Sequence, residues 1–559
     1  MSLKNLSFSK EKNTLATKYL VPKRVVTYKD AENAEHLLCD LPKQSLIVNN
    51  SFCRIADGGY VILDLGSEIQ GGVNITVNRV TNERGDHSKY GKMRIVFGES
   101  VSEAQSTVGD ENGALNDHAP RDIVVSTCSM STQRYGNTGF RFVKLEAVGC
   151  TLEIGVVKGV LEYKDIEYKG SFLCNDERLN EIFETAAYTV HLNMQDYIWD
   201  GIKRDRLVWV GDMHPEVSTI CSVFGYDECV EKSLDFSKFS FPIDETPFGA
   251  WMIYPSYSSW WITIHRDWYM QNGNSEYLME QKEYLYPLAD KLLSIVDETG
   301  EILLTKEAEY FVDWSSNGTP FMKAGFRGCL IIAMKAAADI FAVYGDEEMK
   351  NKCLDCSERL KRIVPEHDGN KQVAAMCALS GLCDKKEVER IILKDGLSGL
   401  STFYGYYVLE ALAKAGNVEA ALDVVRNYWG AMLDLGATTF WEDFDIDWTK
   451  NAARIDEIVP EGKTDVHTSY GKHCYQKLRH SLCHGWASGP VPFLVHHVLG
   501  VTVLEAGCRK VKISPDLGSL EWVKGTYPTP FGVIEIEHKK VNGKVESIIK
   551  APDGVEIVR

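Results

Sequence analysis

The hydrophobic period of this chain changes twice, and those two changes constrain its fold more than any single motif. From about residue 20 to 165, apolar and polar residues alternate in short runs separated by Gly, Asn and Asp. Examples are Tyr60-Val61-Ile62-Leu63-Asp64-Leu65, Val73-Asn74-Ile75-Thr76-Val77, Met93-Arg94-Ile95-Val96-Phe97 and Phe140-Arg141-Phe142-Val143-Lys144-Leu145-Glu146. Period-two alternation at that spacing predicts an antiparallel β-sandwich. The polar stretch Asp86 to Asp122, with few apolar residues after Val101, is expected to form a long loop or an arm. From Asp176 to about Leu499 the segments lengthen and read as helices, among them Asp176 to Asp196, Tyr277 to Asp297, Phe326 to Tyr344, Thr402 to Ala415 and Val418 to Leu435. Turns such as Ala415-Gly416-Asn417 join them into successive hairpins. About ten to twelve helices with short connections suit a six-hairpin (α/α)6 toroid better than a four-helix bundle. No fixed-period repeat points to an open solenoid. From about residue 500 strands return, as in Lys510-Val511-Lys512-Ile513 and Val533-Ile534-Glu535-Ile536-Glu537. The expected domains are therefore an N-terminal β-sandwich over 1–168, an (α/α)6 toroid over 169–500 and a small C-terminal antiparallel β-domain over 501–559.

Charge and cysteine usage narrow the function. The 559 residues carry a formal net charge of −18, the wrong sign for a protein that binds phosphate backbones or anionic lipid. Nucleic acid and membrane partners are accordingly not expected. The first residues lack the apolar run of a secretory signal, and no apolar stretch reaches about 18 residues, so a soluble, cytoplasmic protein is expected. Fifteen Cys are scattered singly, which fits reduced thiols. Cys353 and Cys356 form a Cys-x-x-Cys without a second pair, and read as buried small hydrophobes rather than zinc ligands. His480, Cys483 and His484 read as polar residues lining a helix or cleft. With no nucleophile elbow, Walker loop, zinc-protease motif or dinucleotide fingerprint, no metal and no cofactor are expected. A homodimer is the oligomer held open.

Chemistry concentrates between Trp199 and Glu216, where three Asp, one Glu, one His, two Arg, one Lys and two Trp fall within eighteen positions. Asp200-Gly201 ends the preceding helix. If the next residues turn helically, Asp205, Trp209 and Asp212 share a face, with two carboxylates flanking an indole. That set suits a sugar, whose C–H bonds pack on an aromatic face while its hydroxyls meet carboxylates and guanidinium groups. Glycosidic hydrolysis needs one protonated and one ionised carboxyl group. The competing reading is a salt-bridged surface turn with a core Trp. Thr438-Thr439-Phe440-Trp441-Glu442 supplies the best second carboxylate, because Glu442 follows a helix that ends near Gly436 and lies several hairpins after Asp205. Aromatic groups recur at loop-like places: Trp251, Tyr254, Tyr257, Trp260 and Trp261, then Asp313-Trp314, then Trp448 and His484-Gly485-Trp486. Their position beside Asp, Glu or His points to a cleft.

These motifs resemble glycoside hydrolase family 78, the bacterial and fungal α-L-rhamnosidases. The Asp200 to Asp212 stretch, with Arg204-Asp205 followed by Trp209-Val210-Gly211-Asp212, is similar to that family's signature. Thr438 to Glu442 is similar to its second acidic motif, Ser481-Leu482-Cys483-His484-Gly485 to its closing His motif, and Leu520 to Gly532 to its C-terminal β-domain. The resemblance implies an (α/α)6 toroid that hydrolyses terminal α-L-rhamnose from oligosaccharides or plant glycosides, without a metal and with inversion. Carried over by motif, Asp205 would be the general acid and Glu442 the general base. Asp200, Arg204 and Asp212 would orient rhamnose hydroxyls, Trp209 would pack on the 6-methyl side and His484 would hydrogen-bond a hydroxyl. Trp251, Trp314 and Trp441 are the further candidates for the sugar face. Many members carry Arg-Asp-Glu, with Glu as the acid and one more residue before the Trp, whereas this chain has Arg204-Asp205-Arg206; counting back four from Trp209 lands on Asp205, a shorter acid. Other readings are a different six-hairpin glycosidase, such as an unsaturated glucuronyl hydrolase, and a carbohydrate-binding protein without turnover.

Overall fold

The computed structural model describes residues 14–45, 51–240, 254–305, 308–472 and 475–559. The alternating first third forms one hydrogen-bonded antiparallel sheet. Its strands run in the order Leu15–Leu20, Cys150–Lys164, Cys53–Asn82, Ser131–Val148, Tyr90–Gly98 and Asp122–Cys128. The strand Cys53–Asn82 bends where its register shifts between Asp64 and Ile69. Because of that bend, Ile154 pairs with Cys53 near the start of the strand and with Val77 near its end. The sheet thus folds back on itself, and alternate side chains such as Leu63, Ile75, Ile95, Leu145 and Ile154 fill its interior. Each such fully buried aliphatic side chain contributes about 1.5–3 kcal/mol.

The stretch expected as a loop is only partly irregular. After the strand Tyr90–Gly98 comes a helical turn, Val101–Gln105, capped by Ser100, whose hydroxyl accepts the Glu103 N–H at 3.1 Å. The run from there to Arg121 crosses to the helical region. Val101 N–H donates to the Ile455 carbonyl at 2.9 Å, and the Asn112 carbonyl accepts from Leu478 N–H at 3.0 Å.

The helical region is a closed ring. Contacts pass from Met213–Val223 to Pro255–Asn272, Met322–Tyr344, Lys371–Ser380, Gly405–Lys414 and Pro490–Phe493, and back to Met213–Val223. Second hairpin members pack on this ring: Glu347–Leu360 on Met322–Tyr344, Lys385–Leu393 on Lys371–Ser380, and Val418–Val424 on Gly405–Lys414. Helix starts coincide with the Asp and Asn turn residues. Asp176, Asn274, Asp346, Asn370, Asp384 and Asn417 each accept a first-turn N–H, worth about 1 kcal/mol apiece. Among the described residues, six inner elements close the ring and three of them carry these outer partners, the layout of the expected six-hairpin toroid.

Two small sheets follow. Lys544–Lys550, Gly532–Val541, Trp522–Thr529 and Ser171–Cys174 form an antiparallel sheet. Its last strand comes from the start of the segment expected to be helical, so the chain ties its third β-region to the entrance of the toroid. The hairpin turn Asn542-Gly543 has φ of 51° and 77°, the left-handed pair that a two-residue turn requires. In the other sheet, Lys510–Ile513 pairs antiparallel with Val501–Glu505 and parallel with Glu556–Val558. The C-terminal region is therefore not antiparallel throughout.

Candidate active site

The segment from Asp200 to Asp212 is a loop, and the helix begins only at Met213. The shared helical face for Asp205, Trp209 and Asp212 is therefore not formed. The reason lies in Asp200, 3% exposed, whose carboxylate accepts the Asp205 N–H at 3.1 Å and the Leu207 N–H at 2.9 Å. Those two bonds fold the backbone around the carboxylate, the local competition by which Asp displaces helix. The Asp200 carbonyl accepts from Gly485 N–H at 2.9 Å, which brings the closing motif alongside.

Arg204, 3% exposed, organises what the loop presents. Its Nε donates to the Arg479 carbonyl at 3.1 Å, one terminal nitrogen donates to Asp205 Oδ1 at 2.8 Å, and the other to Glu442 Oε1. Its guanidinium also lies 5.4 Å from the centre of the Tyr475 ring. Glu442 is held from the opposite side by Ser481: each residue's N–H bonds to the other, at 3.0 Å to the Ser481 carbonyl and 3.0 Å to Glu442 Oε2. The Glu442 carbonyl accepts from Thr402 Oγ1 at 2.7 Å and Trp486 Nε1 at 2.9 Å. His484 Nε2 stands 3.7 Å from Asp200 Oδ2 and 3.8 Å from Glu442 Oε1. Asp212 accepts from the Tyr257 hydroxyl at 3.0 Å, and Trp209 meets the Tyr257 ring edge-on at 6.2 Å.

Burial dominates the electrostatics. It pushes the Asp200 carboxyl well up, aided by the charges of Asp205 and Asp212, and pushes Asp212 well up too. Glu442 is raised by burial, against which the Arg204 charge and the Ser481 N–H act. Burial, with Arg204 and His480 nearby, lowers His484 well below its ordinary value, so that it is a neutral hydrogen-bonding ring. Burial thus raises Asp200, Asp212 and Glu442 alike, and at Glu442 the Arg204 guanidinium opposes the rise.

Glu442 forms part of the wall of a cavity of about 390 Å³, with Asp313, Trp314, Asp443, Tyr475 and Trp486. Trp314 and Trp486 each meet the Tyr475 ring edge-on, at 5.8 Å and 6.0 Å. Of the aromatic candidates, Trp314, Trp448 and Trp486 line this cavity. Trp441 does not: it is 0% exposed and sits edge-on against Phe444 at 5.7 Å. Its neighbour Glu442 points into the site while Trp441 turns into the core, and Trp486 takes the cavity-facing place. Trp260 and Trp261 are likewise core residues. Trp251 lies outside the described residues.

Four groups were not singled out by the sequence. Glu99 and Glu103 bracket the Lys203 ammonium at 3.2 and 2.9 Å, directly behind Arg204. With His467 they are grouped closely enough to hold a metal ion, yet the Lys203 ammonium already supplies the cation there. His118 Nε2 lies 3.4 Å from Asp205 Oδ1. Glu216, 0% exposed, has no hydrogen-bond partner for either carboxyl oxygen among the described residues. Burial pushes it well up, toward the neutral acid, and Gly485 leaves room for it, since a Cβ there would lie 1.6 Å from Glu216 Oε1. Glu216 had a signal in its place within the Trp199–Glu216 cluster, and Asp443 in its position beside Glu442.

Comparison with known proteins agrees with this layout. Residues 167–325 match the bacterial alpha-L-rhamnosidase 6 hairpin glycosidase domain, and residues 500–558 the bacterial alpha-L-rhamnosidase C-terminal domain. An alpha-L-rhamnosidase of Formosa agariphila is 21% identical over 581 residues, covering 90% of this chain and 55% of that protein. One from Alteromonas sp. is 24% identical over 71% of this chain and 45% of its own length. The chain thus spans about half the length of the curated relatives it matches. Among solved structures, a family 78 rhamnosidase of Bacillus sp. GL1 superposes with a TM-score of 0.73 at 21% identity, over 94% of this chain and 55% of that one. A Klebsiella oxytoca rhamnosidase with rhamnose bound superposes with a TM-score of 0.69 at 18% identity, over 86% and 96%. Over residues 167–325 and 500–558 the chain thus matches the six-hairpin glycosidase and C-terminal domain models of the bacterial α-L-rhamnosidases, the family that its motifs resemble.

Proposed function

We propose that this protein hydrolyses terminal α-L-rhamnose from oligosaccharides or plant glycosides by inversion, with Asp205 as general acid and Glu442 as general base. The observation that carries the proposal is the Arg204 guanidinium, which joins both carboxyl groups and keeps a charge beside the buried Glu442. Asp205 gives its proton to the departing oxygen. Glu442 takes a proton from the water that attacks the anomeric carbon on the opposite face, which requires the two carboxyl groups to stand about 6.5–9.5 Å apart around the sugar. Arg204, Asp212 and His484 orient hydroxyl groups, while Asp200 chiefly holds the loop through its two backbone bonds. Trp209 and Trp314 pack on the apolar side of the ring.

The cavity wall argues against a uronic acid substrate. Asp313, Glu442 and Asp443 face it, whereas Lys371 is spent on the Gly396 carbonyl and Lys472 lies 4.0 Å from Asp445. A carboxylated sugar would meet a predominantly acidic wall, with Asp313, Asp395, Glu442, Asp443 and Asp445 set against Lys371 and Lys472. A cytoplasmic location is supported by the described cysteines, which are unpaired and mostly buried. A homodimer is to be tested by light scattering.

The test is a panel of nitrophenyl glycosides, with NMR of the first-formed sugar. Release from the α-L-rhamnoside with initial β-rhamnose is expected. Release from another sugar and none from the rhamnoside would sink the proposal, and initial α-rhamnose would contradict inversion.

A further inference from the structure

We propose that the N-terminal β-domain builds the leaving-group side of this site, and that Asp117 and His118 recognise hydroxyl groups of a glycosyl leaving group. The inference rests on the assignment of Asp205 as general acid. A general acid protonates the oxygen of the departing group, so that group has to lie against Asp205, across the scissile bond from the attacking water and Glu442.

The surroundings of Asp205 show what is available there. Its backbone N–H is taken by Asp200 and its Oδ1 accepts from Arg204 at 2.8 Å. The carboxyl group is 21% exposed, and at its exposed edge stands His118, with Nε2 at 3.4 Å. His118 Nε2 is also 3.7 Å from Asp117 Oδ2, and Asp117 Oδ2 is 3.5 Å from Arg479 Nη2. These three side chains are 29%, 34% and 29% exposed, so they form a rim rather than core. The contrast with the Glu442 side is chemical. There Trp314, Tyr475 and Trp486 offer ring faces and edges, whereas the Asp205 side offers imidazole, carboxylate and guanidinium, which together donate and accept. Such a set matches sugar hydroxyls and does little for an apolar aryl group.

The rim is held in place by the crossing of the arm into the toroid. Lys203 binds Glu99 and Glu103, Leu478 N–H donates to the Asn112 carbonyl at 3.0 Å, and Lys477 Nζ donates to the Glu111 carbonyl at 2.8 Å. His118 itself has φ +63°, in the left-handed region where Asn, Asp and His are the enriched non-glycine residues. The arm therefore presents Asp117 and His118 at a fixed place beside the acid, and the β-domain is part of the specificity apparatus.

The experiment compares His118→Asn, which tolerates the left-handed backbone, and Asp117→Asn with the parent on two substrates, a rhamnosyl disaccharide and 4-nitrophenyl α-L-rhamnoside. In both variants kcat/KM for the disaccharide is expected to fall about tenfold more than for the nitrophenyl substrate, the scale of one lost hydrogen bond, with most of the change in KM. Proportional losses on the two substrates, or an unchanged disaccharide rate in both variants, overturn the proposal. Asp205→Asn is measured alongside. If it cleaves the disaccharide at the parent rate, the acid assignment fails, and this inference falls with it rather than on its own evidence.

Discussion

Asp205 and Glu442, distant in the chain, accept hydrogen bonds from the two terminal nitrogens of one guanidinium, that of Arg204. Such a bridge does two things. It fixes the separation of the carboxyl groups, since a planar fork is rigid where a lysine would swivel. It also sets one fixed positive charge against the cost of burying Glu442.

Arg204→Lys tests the second effect. Burial raises the Glu442 carboxyl and the Arg204 charge and hydrogen bond oppose the rise, so weakening that pair lets burial raise it further. A general base has to be ionised, and kcat/KM declines as pH drops through its pKa. The acid limb of the pH–rate profile is expected to move to higher pH in the variant. A limb that stays in place or moves down would show that the guanidinium does not control this carboxyl.

Lys203→Met addresses the support behind the site. The Lys203 ammonium is fully buried, contacts Glu99 and Glu103, and donates to the Leu478 and His480 carbonyls at 2.7 and 2.8 Å. Removing one partner of a buried ionic cluster leaves uncompensated charge, with a typical cost of about 3–5 kcal/mol. Denaturant unfolding is expected to show a loss of that order. A loss under about 1 kcal/mol, the range of an exposed pair, would mean that the cluster does not hold the β-domain to the toroid.

Asp443→Asn has a pH signature. Burial first, then the charges of Asp313 and Glu442, push the Asp443 carboxyl from 3.8 up to about 7. An acid raised on folding binds more protons in the native state. Its relative stabilisation is complete below about pH 4 and disappears as pH rises through about 7. The amide variant lacks this titration, so its melting temperature relative to the parent should climb between pH 4 and pH 8. A difference that is flat with pH would refute the assignment.

The fold was legible because it rests on periodicity. Alternation through Leu63 and Leu145, and helix starts at Asp176 and Asn417, are local signals that the tertiary structure did not overrule. The site was legible as residue types, since the Asp200–Asp212 loop and Glu442 stand out by composition. Its conformation was not. The carboxylate of Asp200 captured two backbone N–H groups and so cancelled the helical turn that spacing alone allowed. Trp441 shows the same limit at one residue: neighbours on an irregular segment point opposite ways, and nothing in Trp441-Glu442 says which faces the cavity. Glu99 and His118 carried no signal, because their partners Leu482, Lys203 and Asp205 lie far along the chain. Polar residues in a Gly- and Asn-rich stretch read as solvated when their partners are remote.

The most direct test of the proposed mechanism is the turnover of α-L-rhamnoside by Glu442→Gln, an isosteric variant that keeps the carbonyl contacts to Thr402 and Trp486. Loss of the general base is expected to lower kcat by about 10²–10⁴-fold, with the protein still folded. A kcat within a few-fold of the parent would contradict the assignment of Glu442 and with it the proposed mechanism.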